Sequence, residues 1–186
     1  MHQLRPDNWI KEYSDELYFF IQKRISDSET AKDILQDSFL SAWKGRNMYK
    51  GDASERSWLY SICKNKIIDH YRKSASNASL ISLGHSEDDV FFDEHGNWNK
   101  NAQPGKWGST DRSSIEIKEF YSILERCKKD LNETQRAVFV LKYLDDAQAD
   151  DICKELNITS SNYWILLHRA RLKMRMCMEK KWFEKK

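Results

Sequence analysis

Between Ser74 and Ser113 the chain loses sustained helical periodicity, and this break constrains the fold more than any other feature. The segment holds Ser74, Ser76, Ser79 and Ser82, the glycines at 84, 96, 105 and 108, and Pro104, the only proline after Pro6. Before it, from Trp9 to about Arg72, the residues are helix formers and the only glycines are Gly45 and Gly51. After it, from Ser114 to Lys186, helix-forming sequence resumes. This gives two helical stretches of roughly 70 residues each, neither with room for a large core. The expected fold is therefore all-α: two small helical domains, residues 1–76 and 114–186, joined by a flexible linker over 77–113.

Charge is shared unequally among these parts. The chain carries 31 Lys and Arg against 29 Asp and Glu, a formal charge of +2, so any signal of a nucleic-acid partner has to be local. The linker is acidic, with Glu87, Asp88, Asp89, Asp93, Glu94 and Asp111 against Lys100, Lys106 and Arg112. The C-terminal end reverses the sign: Arg169, Arg171, Lys173, Arg175, Lys180, Lys181, Lys185 and Lys186 are opposed by Glu179 and Glu184. That end is a candidate phosphate-contacting surface, although cations there also suit the negative end of a helix macrodipole.

No apolar run approaches the about 20 residues of a membrane span, and the opening Met-His-Gln-Leu-Arg-Pro-Asp has no secretory pattern, so a cytoplasmic chain is expected. Cys63, Cys127, Cys153 and Cys177 stand far apart, without a C-x-x-C pair or a zinc-finger spacing of histidines. They are expected to be small core residues of a reduced chain, with a redox or metal role as the alternative; no metal and no cofactor is expected.

The most specific local pattern lies near the C-terminus. Leu131-Asn132-Glu133-Thr134-Gln135 has the form of a capped helix start, Asn132 as N-cap and Gln135 as capping-box partner, followed by Val138, Leu141 and Tyr143. From Asp150 to Leu156, Ile152 and Leu156 share a face, and Asn157-Ile158-Thr159 interrupts the pattern with helix-turn-helix spacing. Asn157 falls where a left-handed residue is usual and Thr159 where the next helix needs a cap. The second helix would bury Tyr163, Leu166, Leu167, Ala170 and Met174, leaving Ser160, Ser161, Asn162, His168, Arg169 and Lys173 more exposed. Such a helix suits a major groove; an interaction-only helical hairpin is the alternative.

The N-terminal stretch carries two further patterns. In Asp33-Ile34-Leu35-Gln36-Asp37-Ser38-Phe39-Leu40-Ser41-Ala42-Trp43, Leu35, Phe39 and Ala42 form an inward stripe, and Asp33, Gln36, Asp37 and Leu40 are left to face outward. Further on, Trp58, Ile62, Asn65, Asp69 and Arg72 fall along one helical face. A plain core stripe would not mix Asn, Asp and Arg into it, so a functional surface is expected; buried and internally satisfied polar groups are the alternative.

Together these motifs resemble the extracytoplasmic-function sigma factors of bacterial RNA polymerase, over roughly residues 9 to 73 and 115 to 178, in the family's order. The C-terminal signature is Leu167-His168-Arg169-Ala170-Arg171. The resemblance implies a non-enzymatic protein that binds core polymerase, recognises and melts promoter DNA and starts transcription, with an anti-sigma factor as a further partner. Residues 1–76 would be sigma region 2 and residues 114–186 sigma region 4. Asp33, Gln36, Asp37 and Leu40 would dock on the clamp of the polymerase largest subunit. Tyr49, Lys50, Gly51, Asn65, Lys66 and Arg72 would open the minus-ten element and hold a flipped base, a role an aromatic ring and an amide can perform on an exposed base. Lys64 and Lys73 would help neutralise the neighbouring backbone. Ser160, Ser161, Asn162, His168, Arg169, Arg171 and Lys173 would contact the minus-thirty-five element. The linker, able to span on the order of 100 Å when extended, would thread through polymerase, its Phe91, Phe92, Trp98 and Trp107 arguing for partial order on binding.

The chain departs from the family at Trp164-Ile165-Leu166, where polar or basic residues are common. Packing of Trp164 and Ile165 against Trp182 and Phe183 is the preferred expectation, and contact with thymine methyl groups the alternative. A sigma mimic that binds only an anti-sigma factor would lack the basic residues Arg169, Arg171, Lys173 and Arg175. A metal-dependent enzyme built on His85, His95 and the linker acids would need a motif such as H-E-x-x-H, and none is present.

Overall fold

The computed structural model describes residues 4–78, Asn99, Gln103 and 114–183. Among these the chain is all-helical and divides into two compact units, Met1–Lys73 and Ser74–Lys186. Most of the 77–113 linker, with its acidic cluster, its four aromatic residues, His85 and His95, lies outside the described residues. No helix among the described residues is long and apolar enough to cross a membrane, and no cluster of His, Cys, Asp and Glu among them is placed to hold a metal.

The first unit is built from α1 (Trp9–Gln22), α2 (Ser28–Gly45) and the long α3 (Glu55–Ala78) as far as Lys73. Pro6 opens a short 3-10 turn ahead of α1, where its missing N–H costs nothing. Asp27 caps α2: its Oδ2 accepts from the Thr30 N–H at 2.8 Å and from the Thr30 hydroxyl at 2.7 Å. These bonds hold the Asp27 carboxyl below its usual range. The core takes Trp9, Leu17 and Ile21 from α1 and Leu59, Cys63, Ile67 and Tyr71 from α3, at i, i+4, i+8 and i+12. Tyr71 satisfies its buried hydroxyl by donating to the Arg24 carbonyl at 2.6 Å.

The inward stripe of α2 differs from the expected one. Ala31, Ile34, Ser38 and Ala42 are buried, while Leu35 and Phe39 sit half-buried on the flank. Small side chains let the helix approach its neighbours closely, and Ser38 meets its hydrogen-bonding need within α2, donating to the Ile34 carbonyl at 2.6 Å. A reading keyed to large apolar residues puts Leu35 and Phe39 on this face, each one position off, and only Ala42 is buried as expected.

The second unit comprises α4 (Ser114–Lys129), α5 (Glu133–Tyr143), α6 (Ala149–Leu156) and α7 (Ser160–Met178), with a final π-type turn at Glu179–Phe183. The N-cap at Asn132 forms as expected, its side chain accepting from the Gln135 N–H at 2.8 Å. Arg136 then closes the preceding helix. Its buried guanidinium donates to the carbonyls of Lys128, Lys129 and Leu131 at 3.0, 3.1 and 2.7 Å, giving carbonyls at and just beyond the α4 terminus a charged donor. A core cluster of Ile123, Cys127, Leu131, Ala170, Met174, Met178 and Trp182 joins α4 to α7.

The cysteines require a correction. Cys63 is a free, buried core residue as expected, and burial pushes its thiol pKa up. Cys127 and Cys177, however, are joined as a disulfide between α4 and α7, with Cα atoms 5.7 Å apart. Two residues 50 apart in sequence give no local sign of that proximity. Cys153 is free and half-buried.

The turn between α6 and α7 follows local chemistry. Asn157 adopts φ 53° and ψ 49°, its N–H reaching back to the last carbonyls of α6, and Thr159 Oγ1 accepts from the Asn162 N–H at 3.2 Å to start α7. A Cβ-bearing residue without a short amide is strained at this φ. Asn157→Ala should therefore lower the stability of this unit by about 1 kcal/mol, and Asn157→Gly by less, as read by urea denaturation.

Candidate nucleic-acid and polymerase interfaces

Three solvent-facing surfaces emerge from these helices. On α2, Asp33, Gln36, Asp37 and Leu40 are all exposed along one stripe, opposite the buried Ala31, Ile34, Ser38 and Ala42. The stripe is acidic and polar with an apolar centre, since Leu40 is half exposed. It continues to Trp43, which the sequence reading did not single out. Trp43 is 46% exposed, and the Arg46 guanidinium lies 4.1 Å from its ring centroid.

The second surface is formed by the loop after α2 and the outer face of α3. Gly51, at φ 80°, supplies the left-handed turn in this loop. Tyr49 is partly exposed; its hydroxyl donates to the Ala53 carbonyl, and its ring lies 5.2 Å from Trp58. Lys50 is exposed. Along α3, Trp58 and Ile62 are half-buried whereas Asn65, Asp69 and Arg72 are exposed, and Lys66 is partly covered. The mixed stripe thus rises from the core into solvent rather than burying its polar members. Asp69 and Arg72 pair at 3.1 Å, an exposed contact of small energetic weight. Asn65 lies two turns beyond Trp58 on the same face, about 10 Å along the axis.

Sequence reasoning missed what braces this surface. Glu55, the first residue of α3, is only 7% exposed. Its carboxylate accepts from the Arg5 backbone N–H, from Trp9 Nε1 at 2.7 Å and from the Tyr13 hydroxyl at 3.3 Å. Burial, followed by the nearby Glu55 charge, raises the pKa of Tyr13. Trp9 in turn packs against Trp58 at 6.0 Å, and Trp58 against Tyr49. A chain of contacts from the N-terminal turn therefore fixes the ring of Tyr49. An acid in a first helical turn normally reads as a partner for the helix dipole, and its true donor lies 46 residues away.

The third surface is on α7, from Ser160 to Lys173. Ser160, Ser161, His168 and Arg171 are exposed, and Asn162, Arg169 and Lys173 are partly covered. Tyr163, Leu167, Ala170 and Met174 are buried as expected, while Leu166 is only half-buried. Arg171 donates from Nε to the Tyr143 hydroxyl at 2.5 Å, which holds its guanidinium beside α5.

The preferred expectation for Trp164 and Ile165 does not hold: they are 55% and 47% exposed. Trp164 meets the edge of Tyr163 at 5.0 Å, and Trp182 packs instead on Phe120 at 5.7 Å. The reason is helix length, because eighteen residues separate Trp164 from Trp182, about 27 Å of α-helix. The side chain of Phe183 lies outside the described residues.

Comparison with known proteins agrees with this division into units. Residues 9–77 match sigma-70 region 2 and residues 121–174 match sigma-70 region 4. A protein of Haemophilus influenzae named "Probable RNA polymerase sigma factor" is 30% identical over 173 residues, covering 92% of this chain and 89% of its own length. Two Bacillus subtilis proteins are each 26% identical: RNA polymerase sigma factor YlaC, covering 96% of this chain and 95% of its own, and ECF RNA polymerase sigma factor SigX, covering 90% and 80%.

Proposed function

This chain belongs to the sigma-70 family as a factor of the extracytoplasmic-function type, and from that premise we propose how its three surfaces divide the work. An RNA polymerase sigma factor directs promoter recognition and transcription initiation, binding core polymerase and promoter DNA without enzymatic chemistry of its own. In the proposed division, Asp33, Gln36, Asp37 and Leu40 on α2 dock on the clamp of the largest polymerase subunit. Tyr49, Lys50, Gly51, Asn65, Lys66 and Arg72 open the minus-ten element. Helix α7, with Ser160, Ser161, Asn162, His168, Arg169, Arg171 and Lys173, contacts the minus-thirty-five element. The chain works in the cytoplasm, and an anti-sigma factor is a third partner on the resemblance alone.

The observation that carries the docking assignment is the exposure of all four α2 residues on one stripe, opposite the buried Ala31, Ile34, Ser38 and Ala42. Tethering explains how weak modules can suffice. Once α2 is docked, the DNA contacts of either unit become effectively intramolecular, so the free chain is expected to bind promoter DNA poorly.

The decisive experiment is association with core polymerase. Gln36→Ala combined with Asp37→Ala should weaken association on the order of tenfold in a quantitative pull-down, because two polar contacts are lost together. The thermal transition should be unchanged, since both residues are exposed. Unchanged association would refute the docking face.

A further inference from the structure

The open face of α7 has an unusual centre. Ser161, Trp164, Ile165 and His168 recur at i, i+3, i+4 and i+7, and all four are exposed. The face ends where Leu172, one turn beyond His168, is 6% exposed. Two large apolar side chains therefore occupy the middle of the surface that the helix-turn-helix arrangement presents. Trp164 is braced from behind, its ring edge-on to Tyr163, which is fully buried. The charge of the helix indicates the covering partner: α7 contains Arg169, Arg171, Lys173 and Arg175 and no acidic residue between Ser160 and Met178. A polyanion suits that field.

Resting on the assignment of α7 to the minus-thirty-five element, we propose that Trp164 and Ile165 determine its specificity by reading thymine 5-methyl groups in the major groove. Ile165 has no hydrogen-bonding group, and Trp164 has only the donor Nε1–H. Neither can reproduce the bidentate amide or guanidinium contacts that distinguish adenine and guanine. The thymine methyl is the one apolar group that an unmodified base pair shows in the major groove, so it is the natural contact for such a pair. Covering it removes apolar surface on both sides from water. A G·C pair at the same step would instead leave cytosine N4 or guanine O6 desolvated without a partner, which selects against it. The flanking Ser161 and His168 are placed for polar contacts, and the basic residues further along for phosphates.

The test uses the full chain assembled with bacterial core polymerase. Promoter duplexes randomised across the upstream element are selected for holoenzyme binding, and each thymine in the selected element is then replaced by deoxyuridine, which keeps every pairing group and loses only the methyl. The expected result is enrichment of thymine at one or more positions, with about fourfold weaker binding for each contacted methyl removed. Ile165→Ala combined with Trp164→Ala should bind the thymine and uracil duplexes alike while melting at the wild-type temperature, and each single variant should lose part of the discrimination. If an upstream element is selected but deoxyuridine is silent, methyl readout is overturned and the helix-turn-helix assignment stands. If no upstream sequence is enriched, the assignment itself fails, and the methyl readout with it.

Discussion

Asn65→Ala is expected to slow promoter opening by tenfold or more while leaving association with core polymerase unchanged. Asn65 is exposed on α3 along the line that starts at Trp58 and the ring of Tyr49. A primary amide carries a donor pair and an acceptor side by side, which matches the edge of an unpaired base. Losing such a bidentate contact costs about 1–3 kcal/mol, roughly a fivefold to 150-fold effect, and tenfold lies in the lower part of that range. Tyr49→Ala should produce a similar loss, because an aromatic platform under an unstacked base is worth about 1–3 kcal/mol. Tyr49→Phe separates two contributions: it keeps the ring against Trp58 and removes only the hydroxyl bond to the Ala53 carbonyl. A small defect in Tyr49→Phe beside a large one in Tyr49→Ala would identify stacking as the main contribution. The measurement is the fluorescence of 2-aminopurine placed in the minus-ten element, on a promoter taken from upstream of the chain's own operon. Loss of core association in either alanine variant, or unchanged opening in both, would overturn the assignment.

The bracing of Tyr49 extends this expectation to Glu55. Trp9, Tyr13 and the Arg5 backbone all donate to one buried carboxylate at the start of α3, immediately after the loop that carries Tyr49. On the proposed assignment, the rigidity of the Tyr49 ring is therefore set by a carboxylate that is itself buried. Holding the ring in place before DNA arrives spares the cost of ordering it at the moment of strand capture.

What was legible in the sequence follows from the range of the interactions. The α6 turn could be read because Asn157, Thr159 and the Asn132 cap act within three or four residues of themselves. The α7 core stripe was also legible, and its periodicity places Trp164 and Ile165 outside it. They were expected to pack internally because large apolar residues ordinarily do, a tendency that the 3.6-residue period overrules here. On α2 the expected stripe holds only at Ala42, for the opposite reason: Ala31 and Ser38 are buried although little in their hydrophobicity announces it. Contacts such as Glu55 with Trp9 or Cys127 with Cys177 join residues 46 and 50 apart, and nothing in the intervening pattern encodes them.

The cysteine pair carries the second large expectation. Under oxidising conditions Cys177→Ser should destabilise the second unit by about 4 kcal/mol, the chain-entropy value for releasing a loop of this length. In a unit this small that corresponds to a fall in Tm of very roughly 20 °C. Reductant should impose nearly the same loss on the wild-type chain and little on Cys177→Ser, because the variant has no bond left to break. Cys177 is the better residue to change: Cys127 is 1% exposed among Ile123, Leu131 and Met174, where a serine hydroxyl would add a burial penalty of its own. Alkylation of the unfolded, unreduced chain should find two thiols, Cys63 and Cys153. Four thiols, with melting indifferent to reductant, would show the pair to be reduced in the folded protein. The distinction bears on DNA binding, because the bridge pins α7 to α4 near the C-terminal end of α7, while Trp164 and Ile165 stand near its beginning. Breaking it should therefore lower stability much more than it alters which upstream sequences the helix selects.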